Sequence, residues 1–386
     1  MGIPGLSYIG IFFLESSLLR RIYYRIENQF RSPVKLPPDS ERKKVELPNE
    51  GYTISVEMAL NSRCTSDYDG NTRRAHWGMF DETKKLSDGQ IEKIINLARI
   101  NRFTNQKVEI QSKHNILYFV VDNHASGFLR DWMMVESGMQ QQAIGLACAA
   151  LGIGMVFRSF GNNGVPISEA DYGTTRIILD AMKQSYDGSF WSSSPLARKK
   201  PWRRGNLPDP IRDGSKPLIS ALEKLKIEKR NGRKATDESV SQLLWATRGR
   251  TPHYYKSRPW GMTIPSSHGE QNISSVYLIS DYRLSRYSNW RRNRPTHSLE
   301  VLGEIDVDLH NKLKELFPLH NFFILLGKNE NFSRALWEVG YQLLNLLIQA
   351  HALDLTYKAI LLDENQRKIF QGIGIKDPVS VFLLNG

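Results

Sequence analysis

Residues 136–154 read ESGMQQQAIGLACAALGIG, and residues 338–356 read EVGYQLLNLLIQAHALDLT. Neither stretch contains proline, and apolar residues recur at helical spacing in both. We therefore predict one long helix over 132–150 and another over 338–355. The glycines of LGIG are typical of residues that end a helix. Laid over each other without a gap, the two stretches share Glu, Gly, Gln, Ala and Leu at corresponding positions.

The two halves of the chain also share an order of elements. The other elements that we predict are helices over 54–61, 86–100 and 239–246 and strands over 116–121 (ILYFVV) and 275–279 (SVYLI). Ser87 is expected to be the N-cap of its helix. Helix, strand and long helix follow one another in each half, which predicts an internal duplication of an α+β unit.

Composition divides the chain into four regions. These are an N-terminal amphipathic helix with a Pro-rich arm over 1–49, a first repeat over 50–200, a basic linker over 201–219 and a second repeat over 220–386. A basic amphipathic helix either packs on the body of the protein or makes a weak contact with a membrane surface. The sequence favours packing on the body and leaves the membrane contact open.

The charge balance and the cysteine count exclude several classes of protein. The chain has 386 residues with 52 Lys and Arg against 40 Asp and Glu, a net charge of +12. This excess favours phosphorylated or polyanionic partners. Its two cysteines, Cys64 and Cys148, lie far apart, which excludes a disulfide scaffold or a cysteine-based zinc site. The histidines show no metal-binding spacing. We expect a cytoplasmic protein without a metal.

The second half resembles the nitroreductase family of FMN-dependent oxidoreductases, particularly its thiazole and oxazole dehydrogenase branch. The family has a basic motif RRSxRxF, a Pro-Ser loop before a strand, and a long helix of the form GxxxQNxxLxAxxLGLG. In this chain KRNGRKA from Lys229, TIPSS from Thr263, SVYLI and the helix from Glu338 follow in that order. The resemblance spans residues 50–386. It implies two nitroreductase-like repeats, each a mainly antiparallel sheet flanked by helices, packed as an intramolecular pseudo-dimer.

The resemblance also implies an FMN site between the halves. The candidate cofactor-binding residues are Lys229, Arg230, Asn231 and Arg233 in the basic motif, Arg63 in its weakened counterpart SRCTSDY, Thr104, Asn105, Gln106, Pro265, Ser266 and Ser267 in the loops, and Asn345, Gly152 and Gly154 on or after the long helices. Three cations within five residues suit a phosphate dianion on chemical grounds too. The alternatives are a solvated charge run at a helix end, a plain surface turn at Pro265, and a helix amide satisfied by a neighbour at Asn345.

The first half departs from the family pattern. Its motif keeps only Arg63 of the basic residues, and its loop RFTNQK lacks the Pro-Ser pair. The basic motif at Lys229, here called the clamp, would therefore face the loop at Thr104, which lacks the Pro-Ser pair. The Pro-Ser loop at Pro265 would face the weakened motif at Arg63. The resemblance thus implies one flavin per chain, with none as the alternative.

The implied reaction is transfer of hydride or electrons from NAD(P)H through the flavin to a small, planar acceptor. The flavin N5 carries this chemistry, so no catalytic residue of the protein is expected. Candidates for the acceptor pocket, for which core packing is the commoner role, are Trp245, Tyr254, Tyr255 and Trp260. A monomer suffices if the pseudo-dimer is intramolecular, and we expect no nucleic-acid partner.

Two other classes of function stay open. One is a catalytically degenerate protein that binds or sequesters flavin, which the eroded SRCTSDY motif would suit. The other is a basic nucleic-acid-binding protein that uses RYSNWRRNR from Arg286, where Tyr287 and Trp290 stand among arginines and could stack on bases.

Overall fold

The structure is a computed structural model. It describes the strand Lys43–Lys44 and residues 54–61, 84–100, 103–104, 109–113, 116–120, 127–150, 153–162, 165–174, 206–212, 214–251, 254–255, 258–259, 262–265, 273–291, 294–318, 320–329 and 333–386. Lys44–Gly386 forms a compact unit of its own, separate from Met1–Lys43. The helix predicted near the N-terminus lies outside the described residues.

Eight helices lie in the described residues: α1 Val56–Asn61, α2 Asp88–Ala98, α3 Gly127–Ala150, α4 Leu218–Glu223, α5 Asp237–Arg248, α6 Val307–Leu316, α7 Ser333–Ala352 and α8 Glu364–Gly372. The strands are β1 Lys43–Lys44, β2 Lys84–Lys85, β3 Glu109–Lys113, β4 Ile116–Val120, β5 Ile153–Asn162, β6 Val165–Thr174, β7 Glu228–Lys229, β8 Tyr254–Tyr255, β9 Arg258–Pro259, β10 Ser274–Ser280, β11 Arg283–Arg291, β12 Arg294–Glu304, β13 Phe322–Lys328, β14 Tyr357–Leu361 and β15 Pro378–Leu384. The predicted mixture of helices with antiparallel sheets is confirmed.

The shorter helices α2 and α5 begin at the same kind of cap. Ser87, the predicted N-cap of α2, accepts a hydrogen bond from the backbone of Gln90, whose side chain accepts one from the Ser87 backbone. Thr236 and Ser239 form the equivalent box at α5. Each box satisfies backbone N–H groups that the first helical turn leaves without partners.

Two antiparallel sheets share an order of strands. One sheet has the order β3-β4-β6-β5, and the other has β12-β11-β10-β13-β15-β14-β7. The long helix α3 follows β4 and precedes β5, and α7 follows β13 and precedes β14. The run β3-β4-β6-β5 therefore corresponds to β10-β13-β15-β14, with the long helix inserted at the same point.

This correspondence corrects one sequence-based pairing of strands. The order of predicted elements pairs the strand over 116–121 with that over 275–279, because each is the predicted strand before a long helix. In the sheets, the counterpart of β4 is β13, which directly precedes α7, and β10 takes the place of β3. Along the chain, the hairpin of β11 and β12 and the helix α6 lie between β10 and β13. The strand predicted before the second long helix is therefore β10, although the strand that directly precedes this helix is β13.

The helices α3 and α7 pack against each other at two glycines. A Cβ on Gly138 would lie 2.8 Å from Cα of Trp337 and closer still to its carbonyl oxygen. A Cβ on Gly340 would lie 2.8 Å from the backbone nitrogen of Met139 and closer still to the carbonyl oxygen of Val135. Each helix therefore presents a glycine where the backbone of the other comes close.

A second reciprocal contact joins the segments that lead into α1 and α4. The backbone N–H of Val56 donates to the carbonyl of Lys216 at 3.0 Å, and the N–H of Leu218 donates to the carbonyl of Ile54 at 2.9 Å. Val56 and Leu218 are the first residues of their helices. The C-terminal end of the predicted linker, 201–219, is therefore paired with the start of the first half, and α4 begins inside that linker.

Gly154 differs from its predicted role as a residue that ends the long helix. It lies within β5 opposite Gly173, and α3 ends before it, at Ala150.

The larger sheet separates two apolar clusters. Val276, Leu278 and Ile324 face the cluster that contains α3 and α7. Tyr277 and Phe323, one residue along, face the other cluster. Alternate residues of a strand point to opposite faces, so the central strands are buried on both sides.

Candidate functional site

The basic segment 229–233 lies along the C-terminal end of α7. The ammonium of Lys229 is ion-paired with Asp354. The backbone N–H of Arg233 donates to the carbonyl of Asp354 at 2.6 Å, and its guanidinium donates to the carbonyl of Leu353 at 2.7 Å. A Cβ on Gly232 would lie 2.7 Å from the carbonyl oxygen of Asp354, so this close approach requires glycine. The basic motif and the end of the long helix are thus side by side.

Cations outnumber carboxylates around this helix end. A hydrogen bond from Lys229, reinforced by its charge and by the charges of Arg233 and Lys216, lowers the pKa of Asp354. Burial lowers the pKa of His351, and Lys229, Lys216 and Lys224 lower it further. Lys229, Arg233, Lys216 and Lys224 act on Asp354 or His351, and the neighbouring Arg230 is paired with Glu228, so five cations stand against two carboxylates and the surplus charge attracts an anion.

The cations of the predicted clamp already have partners within the protein. Arg230 donates to Glu228 at 2.6 Å and has an 83% exposed side chain, and the Lys229–Asp354 pair is also at the surface. Surface pairs of this kind contribute little free energy, so a phosphate can compete for these cations. The charge of the site suits the phosphate of FMN, and the ammonium and guanidinium groups are the donors that such a dianion needs.

Thr104 and Asn345, two further predicted residues, lie inside the protein. The backbone N–H and the hydroxyl of Thr104 donate to the Glu136 carboxylate at 3.2 and 2.5 Å. The amide of Asn345 donates to the carbonyl of Ala246 at 2.9 Å and accepts from Gln142 at 2.8 Å. Both side chains are buried and bound to protein groups, so in this structure they hold neighbouring segments in place.

The remaining predicted residues are placed only in part. Pro265 is buried, Asn231 is exposed beside the basic cluster, and Gly154 is a backbone position of β5. Outside the described residues lie Arg63, Asn105, Gln106, Gly152, Ser266 and Ser267. The structure therefore places the predicted clamp beside the end of α7, and of the candidate residues in the two predicted loops it describes Thr104 and Pro265.

A buried polar stripe on α7 is the feature that the sequence analysis missed. Its members, all completely buried, are Glu338, Gln342, Asn345 and Gln349. The guanidinium of Arg248 donates to Glu338 at 3.0 Å, and the amide of Gln349 donates to Glu57 at 2.6 Å. Spacing of four, three and four residues places the stripe on one helix face, and this periodicity was the available signal.

The aligned glutamates of α3 and α7 hold corresponding segments. Glu136 accepts hydrogen bonds from Phe103 and Thr104, which follow α2. Glu338 accepts from Arg248, the last residue of α5, and from Ser274 at the start of β10. Each buried carboxylate thereby holds in place residues at or after the end of a shorter helix, α2 for Glu136 and α5 for Glu338.

Among the candidate aromatic residues, Trp245 is the one whose side chain the structure describes. Trp245 is 1% exposed and donates its indole N–H to the carbonyl of Arg250 at 3.2 Å, so it is a core residue. Tyr254 and Tyr255 form the short strand β8, and Trp260 lies outside the described residues.

The segment RYSNWRRNR does not offer free rings for base stacking in its described part. Tyr287 is buried, and its hydroxyl lies 2.9 Å from Nδ1 of His297. The guanidinium of Arg250 lies 4.7 Å above the Trp290 ring. Arg286 is paired with Glu300 at 2.7 Å. These contacts occupy the Tyr287 ring and one face of the Trp290 ring, and base stacking needs free aromatic faces.

The described residues contain neither a metal-binding cluster nor a membrane-spanning helix. No group of His, Cys, Asp or Glu within the described ranges is placed to hold a metal ion. None of the described helices combines the length and the hydropathy that crossing a bilayer requires.

Solved structures that are similar to this chain include two proposed nitroreductases. No family model matches this chain, and no curated protein matches it. A proposed nitroreductase from Ralstonia eutropha JMP134 is 20% identical and aligns over 46% of this chain and 87% of its own, with a TM-score of 0.36. A proposed nitroreductase from Anabaena variabilis ATCC 29413 is 12% identical and aligns over 70% of this chain and 68% of its own, with a TM-score of 0.42. At TM-scores this low, neither alignment decides what this chain does.

Proposed function

We propose that this chain is an FMN-dependent oxidoreductase of the nitroreductase type, built as an intramolecular pseudo-dimer of two duplicated repeats. The observation that carries the cofactor assignment is the cluster of Lys229, Arg233 and Lys216 at the end of α7, and the pseudo-dimer rests on a pair of reciprocal contacts between the halves. Gly138 meets α7 as Gly340 meets α3, and Val56 bonds to Lys216 as Leu218 bonds to Ile54. Reciprocity of this kind defines the contact between two copies related by a two-fold axis.

The matching order of strands gives independent support to the duplication. A strand, a long helix and two further strands with the order β4-β6-β5 recur as β13-β15-β14. The buried glutamates Glu136 and Glu338 occupy aligned positions on the two long helices. An unrelated pair of α+β units would have no reason to repeat the helix insertion, the strand order and the buried carboxylate together.

The phosphate of FMN would be held at the end of α7. Lys229 and Arg233 lie beside Leu353 and Asp354, and Lys216 adds its charge. When bound, FMN supplies hydride and electron transfer between NAD(P)H and a small-molecule acceptor. The residues of the chain bind the phosphate and orient the cofactor by these charged hydrogen bonds. A monomer would contain the complete site, in keeping with the intramolecular pseudo-dimer.

Purification in the native state and a visible spectrum test this function. The proposal expects a yellow protein, or a colourless one that becomes yellow with added FMN, whose absorbance bleaches on addition of NADPH or NADH and recovers in air. A preparation that takes up no FMN would contradict it.

A second candidate is flavin binding without turnover. Thr104 and Asn345, two residues predicted to contact the cofactor, are buried and bound to protein groups, so the phosphate cluster would remain without these contacts to the flavin. A yellow protein that neither pyridine nucleotide bleaches would select this candidate. A colourless protein that retains oligonucleotides with strong salt dependence would instead select nucleic-acid binding.

A further inference from the structure

The larger sheet is split between β10 and β11. Their ladder ends at the pair of Tyr277 and Arg286, although both strands continue. β10 stays paired with β13 back to Ser274, and β11 stays paired with β12 as far as Arg291. A cavity of about 480 Å³ lies at this split, lined by residues of β10, β11 and β12, by Arg248 and by Asn329, which follows β13. The sheet thus opens between two strands that each remain paired on the outer side.

Two side chains explain why the strands part. The guanidinium of Arg248, at the end of α5, donates to the carbonyl of Ser274 at 3.3 Å and to its hydroxyl at 2.9 Å. Asn289 lies at a shift of register in β11 and donates to the carbonyl of Arg248 at 2.7 Å. The end of α5 therefore occupies the place of the missing ladder, and the bulge turns β11 towards it.

The wall of this cavity is polar and positively charged. Its hydroxyl and amide side chains are Ser274, Ser275, Ser288, Asn289, Ser298 and Asn329. Three arginines, Arg248, Arg286 and Arg291, line it together with one carboxylate, Glu300. Arg248 is committed to the buried Glu338, and Arg286 shares an exposed pair with Glu300. Arg291 is exposed and has no ion-pair partner within the described part of the chain.

We propose that this cavity binds a small anion that carries a carboxylate or phosphate group. The volume lies within the range of small-molecule sites, and a lining of hydroxyls, amides and guanidiniums supplies donors to several anionic oxygens. Arg291 provides the uncommitted charge, and Arg286 can turn from Glu300 to the ligand because an exposed pair holds it weakly. The site is separate from the cluster at Lys229 and does not depend on flavin binding.

Calorimetric titration of the full chain with inorganic phosphate and with malonate tests the proposal. We expect wild-type protein to bind at least one of the two probes, and the probe that binds identifies the anionic group. Arg291→Gln is expected to weaken binding about tenfold or more, as for the loss of one charge-assisted hydrogen bond. Glu300→Gln is expected to strengthen it because the one carboxylate of the wall is neutralised.

Two control variants separate this cavity from general attraction and from the other basic site. Arg283→Gln removes the same charge from the other end of β11, outside the cavity, and should leave the affinity unchanged. Lys229→Ala can remove only phosphate bound at the other basic site, and it should leave the affinity of malonate or phosphate for the cavity itself unchanged. Equal weakening by Arg283→Gln and Arg291→Gln, loss of binding in Lys229→Ala alone, or no binding of either probe to the wild type would each overturn the proposal. Arg291 is exposed, so its variant is expected to melt as the wild type does.

Discussion

Gly138 of α3 lies against Trp337 of α7, and Gly340 of α7 lies against Val135 of α3. Trp337 precedes Gly340 by as many residues as Val135 precedes Gly138, so the two contacts are related by exchange of the helices. The glycines are also the residues that the alignment of the two stretches pairs. The glycine shared by the two stretches of sequence therefore meets the same physical requirement in both helices, the close approach of the opposite helix backbone.

Replacement of either glycine should therefore destabilise the fold. Gly138→Ala and Gly340→Ala each place a methyl group against the backbone of the opposite helix, and we expect a loss of ~1–3 kcal/mol in the free energy of unfolding. Gly89→Ala, in α2, meets nothing within 4 Å and serves as the matched control. It should be neutral or slightly stabilising. Urea unfolding measures all three, and equal stability of the three variants would refute the close contact.

The buried pair of Arg248 and Glu338 should be sensitive to loss of one partner. The two side chains are 5% and 0% exposed and lie 3.0 Å apart. Arg248→Met leaves a buried carboxylate without its cation, which should cost ~3–5 kcal/mol in the free energy of unfolding. The double variant Arg248→Met with Glu338→Leu should be more stable than Arg248→Met alone. Arg286→Met, which breaks the exposed pair with Glu300, should change stability by ~0–1 kcal/mol.

Stability should fall in mild acid because of His297. Burial, together with the charge of Arg212, lowers the pKa of His297 to about 4. The unfolded chain binds this proton near the ordinary histidine pKa of about 6.5. The contribution of neutral His297 is therefore complete above that value and is lost progressively as the pH falls towards 4. Thermal melts across this range should show a smaller loss for His297→Gln than for the wild type, and parallel curves would be inconsistent with the assignment.

The thiol of Cys148 should be inert in the folded protein. Burial raises the pKa of Cys148 to about 12, and the side chain is 1% exposed. The reactive thiolate is therefore scarce near neutral pH. In a Cys64→Ser background, a thiol reagent should modify Cys148 only after denaturation. Modification of the native protein at the rate of the denatured one would contradict this burial.

The sequence predicted the elements of this fold better than their arrangement. Apolar periodicity located α3, α5 and α7, and the preference of Ser for N-caps located the start of α2. The local sequence pattern did not show that β4 corresponds to β13 in the order of strands, because β11, β12 and α6 separate the predicted strand β10 from the long helix α7. Strand partners depend on contacts between distant residues, which a single sequence does not display.

The candidate site shows the same division. Clustered charge located the basic segment at Lys229, because a local concentration of cations is visible in sequence. The family motif did not distinguish a buried amide from a binding residue, and Asn345 is one of four buried polar residues on α7. The partners of such a stripe, such as Glu57 for Gln349, come from remote segments. Its period along the helix was visible, but its hydrogen-bond partners were not.

The central claim is that FMN binds through its phosphate at the end of α7. Titration of the full chain with FMN, followed by quenching of flavin fluorescence, tests it most directly. We expect one FMN per chain, an affinity weakened about tenfold or more by Lys229→Ala with Arg233→Ala, and an affinity strengthened by Asp354→Asn, which removes the opposing carboxylate. A chain that binds no FMN, or an affinity that all of these substitutions leave unchanged, would contradict the account.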